Sequence, residues 1–98
     1  MTIQVIGQNF DIGESLTEHV KSTISKKIEK YNQNLISANI TFTDAPHKKV
    51  QASVKLELKL ADFFAKAEAD DAYTAFNNAF ADTEKQITKE LEKVKSHK

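Results

Sequence analysis

Between residues 36 and 59 the chain alternates apolar with polar side chains on both sides of its only proline. Ile36, Ala38, Ile40 and Phe42 occupy one set of positions, and Ser37, Asn39, Thr41 and Thr43 the other. Beyond the segment Asp44-Ala45-Pro46-His47-Lys48 the alternation resumes, with Val50, Ala52, Val54, Leu56 and Leu58 set against Gln51, Ser53, Lys55, Glu57 and Lys59. A period of two marks a strand with one buried face, because successive side chains leave a strand on opposite sides. Pro46 has no N–H to give a ladder, and its fixed φ suits a turn. The pattern predicts a β-hairpin whose first strand ends at Asp44, and its apolar face must be covered by the rest of the chain.

The cover comes from two stretches of helical periodicity. From about Glu14 to Asn32 the apolar residues Leu16, Val20, Ile24, Ile28 and Tyr31 recur at spacings of four and three, a single stripe on a helix. The second stripe, Tyr73, Phe76, Phe80, Thr83, Ile87, Leu91 and Val94, follows Asp70 and Asp71 and predicts a helix to about Lys95. Those aspartates supply a cap and negative charge at the positive end of the helix. Two shorter strands complete the order. Residues 2–7 alternate around Ile3 and Val5 before the turn residues Gly7, Gln8 and Asn9. Phe63, Ala65 and Ala67 alternate with Phe64, Lys66 and Glu68 after a turn at Leu60, Ala61 and Asp62.

The expected fold class is therefore α+β, in the order β-α-β-β-β-α, with a four-stranded, mainly antiparallel sheet and two helices on one face. The other face is left to water or to a partner. A length of 98 residues fits one domain, expected over 1–95, with a frayed tail at 96–98.

Composition narrows the chemistry. The chain has no cysteine, so it forms neither disulfides nor thiolate metal sites, and a reducing cytoplasm suits it. Its start, MTIQVIGQNF, is neither basic nor continuously apolar, and no stretch approaches membrane-spanning length, so no membrane association is expected. His19, His47 and His97 fall on a helix, a loop and the tail, without the close spacing of a metal motif. With Gly7 and Gly13 alone, no glycine-rich phosphate cradle can form. No nucleophile-elbow or similar motif positions a serine, histidine or carboxylate pair. The expectation is a protein that binds, with no enzymatic activity, no metal and no cofactor.

Lysine carries the remaining signal. Fourteen lysines, no arginine and fourteen acids give zero formal charge, which rules out a uniform basic field and the bidentate forks that read DNA bases. Lys85, Lys89 and Lys93 recur every four residues, away from the apolar stripe of the second helix, and Lys26 and Lys30 form a matching pair on the first. Two such rows could grip RNA phosphates across a groove. Asp82 and Glu92 at three-residue spacing make a solvated face with mutual ion pairs the stronger reading of the same lysines from spacing alone. Phe64 should project from the open side of the sheet, where an exposed aromatic could meet a partner.

The element order, together with Ala67-Glu68-Ala69-Asp70-Asp71-Ala72-Tyr73-Thr74-Ala75-Phe76, resembles the ribosome hibernation promoting factors of the sigma-54 modulation protein family. Asp71, Tyr73 and Ala75 carry an Asp-x-Tyr-x-Ala pattern similar to the opening of that family's second helix, and residues 85–89 look like its basic stretch. The resemblance spans the chain. It implies a fold similar to double-stranded-RNA-binding domains and a factor that binds ribosomal RNA of the small ribosomal subunit near the decoding site, excluding messenger and transfer RNA. It also implies a short form, which would need another factor to help make ribosome dimers. The alternative reading is a small protein–protein interaction module using Phe64 and the open sheet face.

Overall fold

The computed structural model describes the backbone of residues 2–31, 35–59 and 61–95, and their side chains except those at 31 and 93–95. The order of elements is β1 (Thr2–Gln8), α1 (Gly13–Tyr31), β2 (Leu35–Ala45), β3 (Lys49–Leu58), β4 (Asp62–Ala69) and α2 (Ala72–Lys95). The strands form one sheet in the order β1-β2-β3-β4. β2, β3 and β4 are joined antiparallel, whereas β1 runs parallel to β2 with α1 as the crossover between them. The expected fold class is the one observed.

Side-chain alternation separates the two faces of the sheet as the sequence requires. Ala38, Ile40 and Phe42 from β2, Val50, Ala52, Val54, Leu56 and Leu58 from β3, and Phe63 from β4 are buried in one cluster with Leu16, Val20, Ile24 and Ile28 of α1 and with Ala75, Phe76, Ala79, Phe80 and Ile87 of α2. Thr83 lies in this stripe with no solvent exposure, and its hydroxyl donates to the Phe80 carbonyl at 2.6 Å, so a buried polar group is satisfied within its own helix.

Two residues depart from strict periodicity, and one glycine marks a close approach. Ile36 was expected inward, but it is 50% exposed and Leu35 is buried in its place, because the β2–β3 register shifts between Leu35 and Ser37. One extra residue in β2 moves Ile36 out of the core and restores Ala38 to it. Tyr73, expected on the buried stripe, is 41% exposed and lies at its margin. Gly7 is a site of close approach: a β-carbon there would run into the Phe10 carbonyl and lie 2.9 Å from Ile12 Cγ1. The missing side chain lets residues 9–12 fold back so that the Phe10 ring stacks on Phe42, with centroids 6.0 Å apart. Tyr31, Asn32, Leu60, Lys93, Val94 and residues 96–98, named in the sequence analysis, lie outside the described residues or side chains.

α2 begins on a full cap. Asp71 accepts hydrogen bonds from the Thr74 N–H and the Thr74 hydroxyl, both at 2.9 Å, while its carbonyl accepts the Ala75 N–H at 3.0 Å. Stabilisation of the ionised carboxylate, first by the Thr74 N–H and then by its hydroxyl, holds the Asp71 pKa below the ordinary carboxylate value. At the same end of the sheet the β2–β3 hairpin turns through Pro46, His47 and Lys48, closed by Lys49 N–H to Pro46 carbonyl at 3.4 Å. His47 and Lys48 take φ values of 62° and 60°, a pairing that turns normally fill with asparagine and glycine.

Candidate nucleic-acid interface

Both helices start where β1 and β4 end, and they travel side by side in the same direction. Near their starts His19 of α1 touches α2, with Nε2 3.1 Å from Asn77 Oδ1 and its ring against Tyr73 and Phe76, centroids 5.2 and 5.8 Å apart. Further along both, Lys27 Nζ lies 3.8 Å from Glu84 Oε2. A parallel pair brings the C-terminal halves together, and these halves carry the lysines singled out above.

Lys26 and Lys30 follow His19 at seven and eleven residues, whole numbers of helical turns, so they continue the flank of α1 that faces α2. Both are exposed. Lys85 and Lys89 are also exposed, on the side of α2 turned away from Phe76, Phe80 and Ile87. The Lys93 side chain lies outside the described residues. Among the described residues, Lys27–Glu84 joins the two helices and Lys49–Asp70 joins β3 to the turn before α2, and neither pair engages Lys26, Lys30, Lys85 or Lys89. The within-helix pairing expected for Lys85 with Asp82 is not formed.

Zero net charge conceals an axial separation. The end where the helices begin carries Asp11, Glu14, Asp44, Glu68, Asp70 and Asp71 against Lys48 and Lys49, and Lys49 is held by Asp70 at 2.6 Å. That hydrogen bond, reinforced by the opposite charge, raises the Lys49 pKa. The end where the helices finish carries Lys26, Lys27, Lys30, Lys59, Lys85 and Lys89 together with Glu29, Glu57, Asp62, Glu84, Glu90 and Glu92, so among the described side chains it is balanced where the other end is acidic. Helix dipoles favour this same arrangement, acids at N-termini and lysines at C-termini, so the polarity also serves the fold. Its effect toward an external polyanion is to present one end of the molecule and withhold the other.

Among the described residues no group of three or more His, Cys, Asp or Glu side chains is placed to hold a metal ion, and no helix is long and apolar enough to cross a membrane. The lysines are visible in the sequence as spacings, whereas the contact of His19 with Asn77 and Tyr73 has no local signal, because the partners are far apart in the chain.

Comparison with known proteins agrees with this architecture. The chain is 28% identical to ribosome-associated factor Y of Haemophilus influenzae over an alignment covering all of this chain and 90% of that protein. The N-terminal domain of Thermus thermophilus protein Y superposes with a TM-score of 0.79 at 23% identity, covering 91% of this chain and 98% of that one. A ribosomal subunit interface protein from Coxiella burnetii gives 0.74 at 26% identity, covering 91% and 96%. The model of one family, described as sigma 54 modulation protein / S30EA ribosomal protein, matches residues 3–95, and the chain belongs to that family.

Proposed function

We propose that this protein is a cytoplasmic ribosome hibernation factor, which binds ribosomal RNA of the small subunit near the decoding site and silences the ribosome by excluding messenger and transfer RNA. The observation that carries this reading is the family match over residues 3–95, with relatives named for ribosome association and for the ribosomal subunit interface. The lysine-bearing ends of two parallel helices supply a surface that fits it. Lys26 and Lys30 on α1, with Lys85, Lys89 and Lys93 on α2, are the proposed phosphate contacts. Lysine acts there as a point charge on the RNA backbone, so the contacts hold the factor in place without reading bases.

The proposed action is steric and needs no catalysis, metal or cofactor. A body with extents of 48 × 25 × 16 Å is large enough to obstruct a channel that must pass nucleic acid.

Pelleting the protein with purified small subunits at low and high salt tests the reading. Phosphate contacts release counterions, so a handful of them should cost at least about tenfold in affinity when salt rises severalfold. Binding that survives high salt unchanged would favour an apolar protein contact instead, and no pelleting at low salt would overturn the ribosomal reading.

A further inference from the structure

The strand register resolves the open face of the sheet into four rows of side chains. Thr2, Ser37, Glu57 and Asp62 form one outer row, and Gln8, Thr43, Gln51 and Glu68 the other. Between them lie Gln4, Asn39, Lys55 and Phe64, and beside these Ile6, Thr41, Ser53 and Lys66. Carboxylates are confined to the outer rows; the two central rows contain none.

Phe64 stands out within this centre. Its side chain is 51% exposed, Lys55 is its direct partner across the β3–β4 ladder, and Lys66 follows two residues on along the same face. Such neighbours lie about 5 Å away across the strands and about 7 Å away along the strand. Gln86 of α2 donates from Nε2 to the Phe64 carbonyl at 2.9 Å, so the strand bearing the aromatic is tied to the helix layer. An exposed ring on a fixed backbone loses little freedom on contact.

We propose that the centre of the open sheet face, built on Phe64 with Lys55 and Lys66, binds single-stranded RNA by stacking a base on the Phe64 ring while the two lysines meet the adjoining phosphates. The chemistry of the rows is what favours this occupant. A stacking aromatic, flanking cations at about the spacing of successive nucleotides, and the amides and hydroxyls of Gln4, Asn39, Thr41 and Ser53 suit a nucleotide chain. A protein partner burying Phe64 would be expected to need an apolar surround that the ring lacks, since the exposed Ile6 and Ile36 lie on β1 and β2, three and two strands away from β4. The site is on the opposite side of the sheet from the helix lysines and does not depend on their role in ribosome binding.

The chain has no tryptophan, so Phe64→Trp places a single reporter at the proposed platform. Titration with a short oligouridylate should quench that emission, and the labelled oligonucleotide should bind Phe64→Ala at least about fivefold more weakly than the parent, with Phe64→Tyr retaining affinity. In the Phe64→Trp background, Lys85→Glu with Lys89→Glu should leave the quenching in place. Urea melts matching the parent would establish that the exposed substitutions leave the fold intact. The proposal is overturned if the oligonucleotide does not bind, or if it saturates the protein without quenching the tryptophan. It is equally overturned if Phe64→Ala weakens only self-association or binding to a protein. None of these outcomes bears on pelleting with small subunits, so the two readings fail separately.

Discussion

Lys27 Nζ of α1 sits 3.8 Å from Glu84 Oε2 of α2, and this pair lies further along both helices than the meeting of His19 with Asn77. The helices therefore run parallel, and their exposed lysines share one end of the molecule. Lys27 is partly neutralised by its contact with Glu84, so Lys26 and Lys30 remain the accessible cations on that side of α1. A half-exposed pair of this kind contributes little to stability; its consequence is the alignment of the two lysine rows.

Phe76 of α2 and Ile24 of α1 have no solvent exposure, and both belong to the core between the helices and the sheet. Truncating either to alanine should remove buried surface and leave a cavity, costing about 2 to 5 kcal/mol. Urea denaturation checks the value. A variant melting like the parent would mean that its helix is rotated from the observed orientation.

Gly7→Ala should also destabilise, for a different reason. The added methyl meets the Phe10 backbone, which cannot swing aside as a side-chain tip could, and relief would require lifting Phe10 from Phe42. An overpacking cost of about 1 to 3 kcal/mol is expected. Hydrogen exchange should show the loss concentrated in residues 7–12.

The hairpin tip offers the reverse experiment. His47 and Lys48 hold left-handed backbone angles that cost a side-chain-bearing residue free energy. Replacing them together, His47→Asn with Lys48→Gly, should raise stability by about 1 kcal/mol in urea melts, since that pair adopts the conformation readily. A loss of stability would contradict the turn geometry.

Acid should weaken the Asp71 cap. Because its folded pKa is lowered, its contribution is complete above the unperturbed value of 3.8 and fades as pH falls through the folded value. The urea midpoints of the parent and Asp71→Ala should differ most near neutral pH and converge well below pH 3.8. A constant gap would show that the carboxylate charge plays no part in the cap.

Much of this fold was legible in the sequence because its elements have strong, single-valued periods. Val50 to Leu58 and Leu16 to Ile28 each announce one buried face, and Asp71 announces the start of α2. The exposure of Ile36 is hidden in the sequence because a bulge adds a residue without changing composition, so Leu35 and Ile36 are indistinguishable by type. Helical spacing alone places Tyr73 on the buried stripe and does not show that His19 meets its ring at the margin. The lysine rows were visible as spacings, whereas their shared end, and the acid-free centre around Phe64, follow from the strand and helix directions that only the assembled chain reveals.

The central claim is occupation of the decoding channel, and the most direct measurement is peptide synthesis in a translation extract against protein concentration, at two levels of initiating transfer RNA and messenger. Inhibition should saturate near one protein per ribosome and weaken as those ligands are raised, because ligands sharing a site exclude each other by mass action. Lys85→Glu with Lys89→Glu should shift the curve by about tenfold or more to higher concentration while leaving the urea melt nearly unchanged. Inhibition far below stoichiometry, or inhibition indifferent to transfer RNA and messenger, would contradict the account.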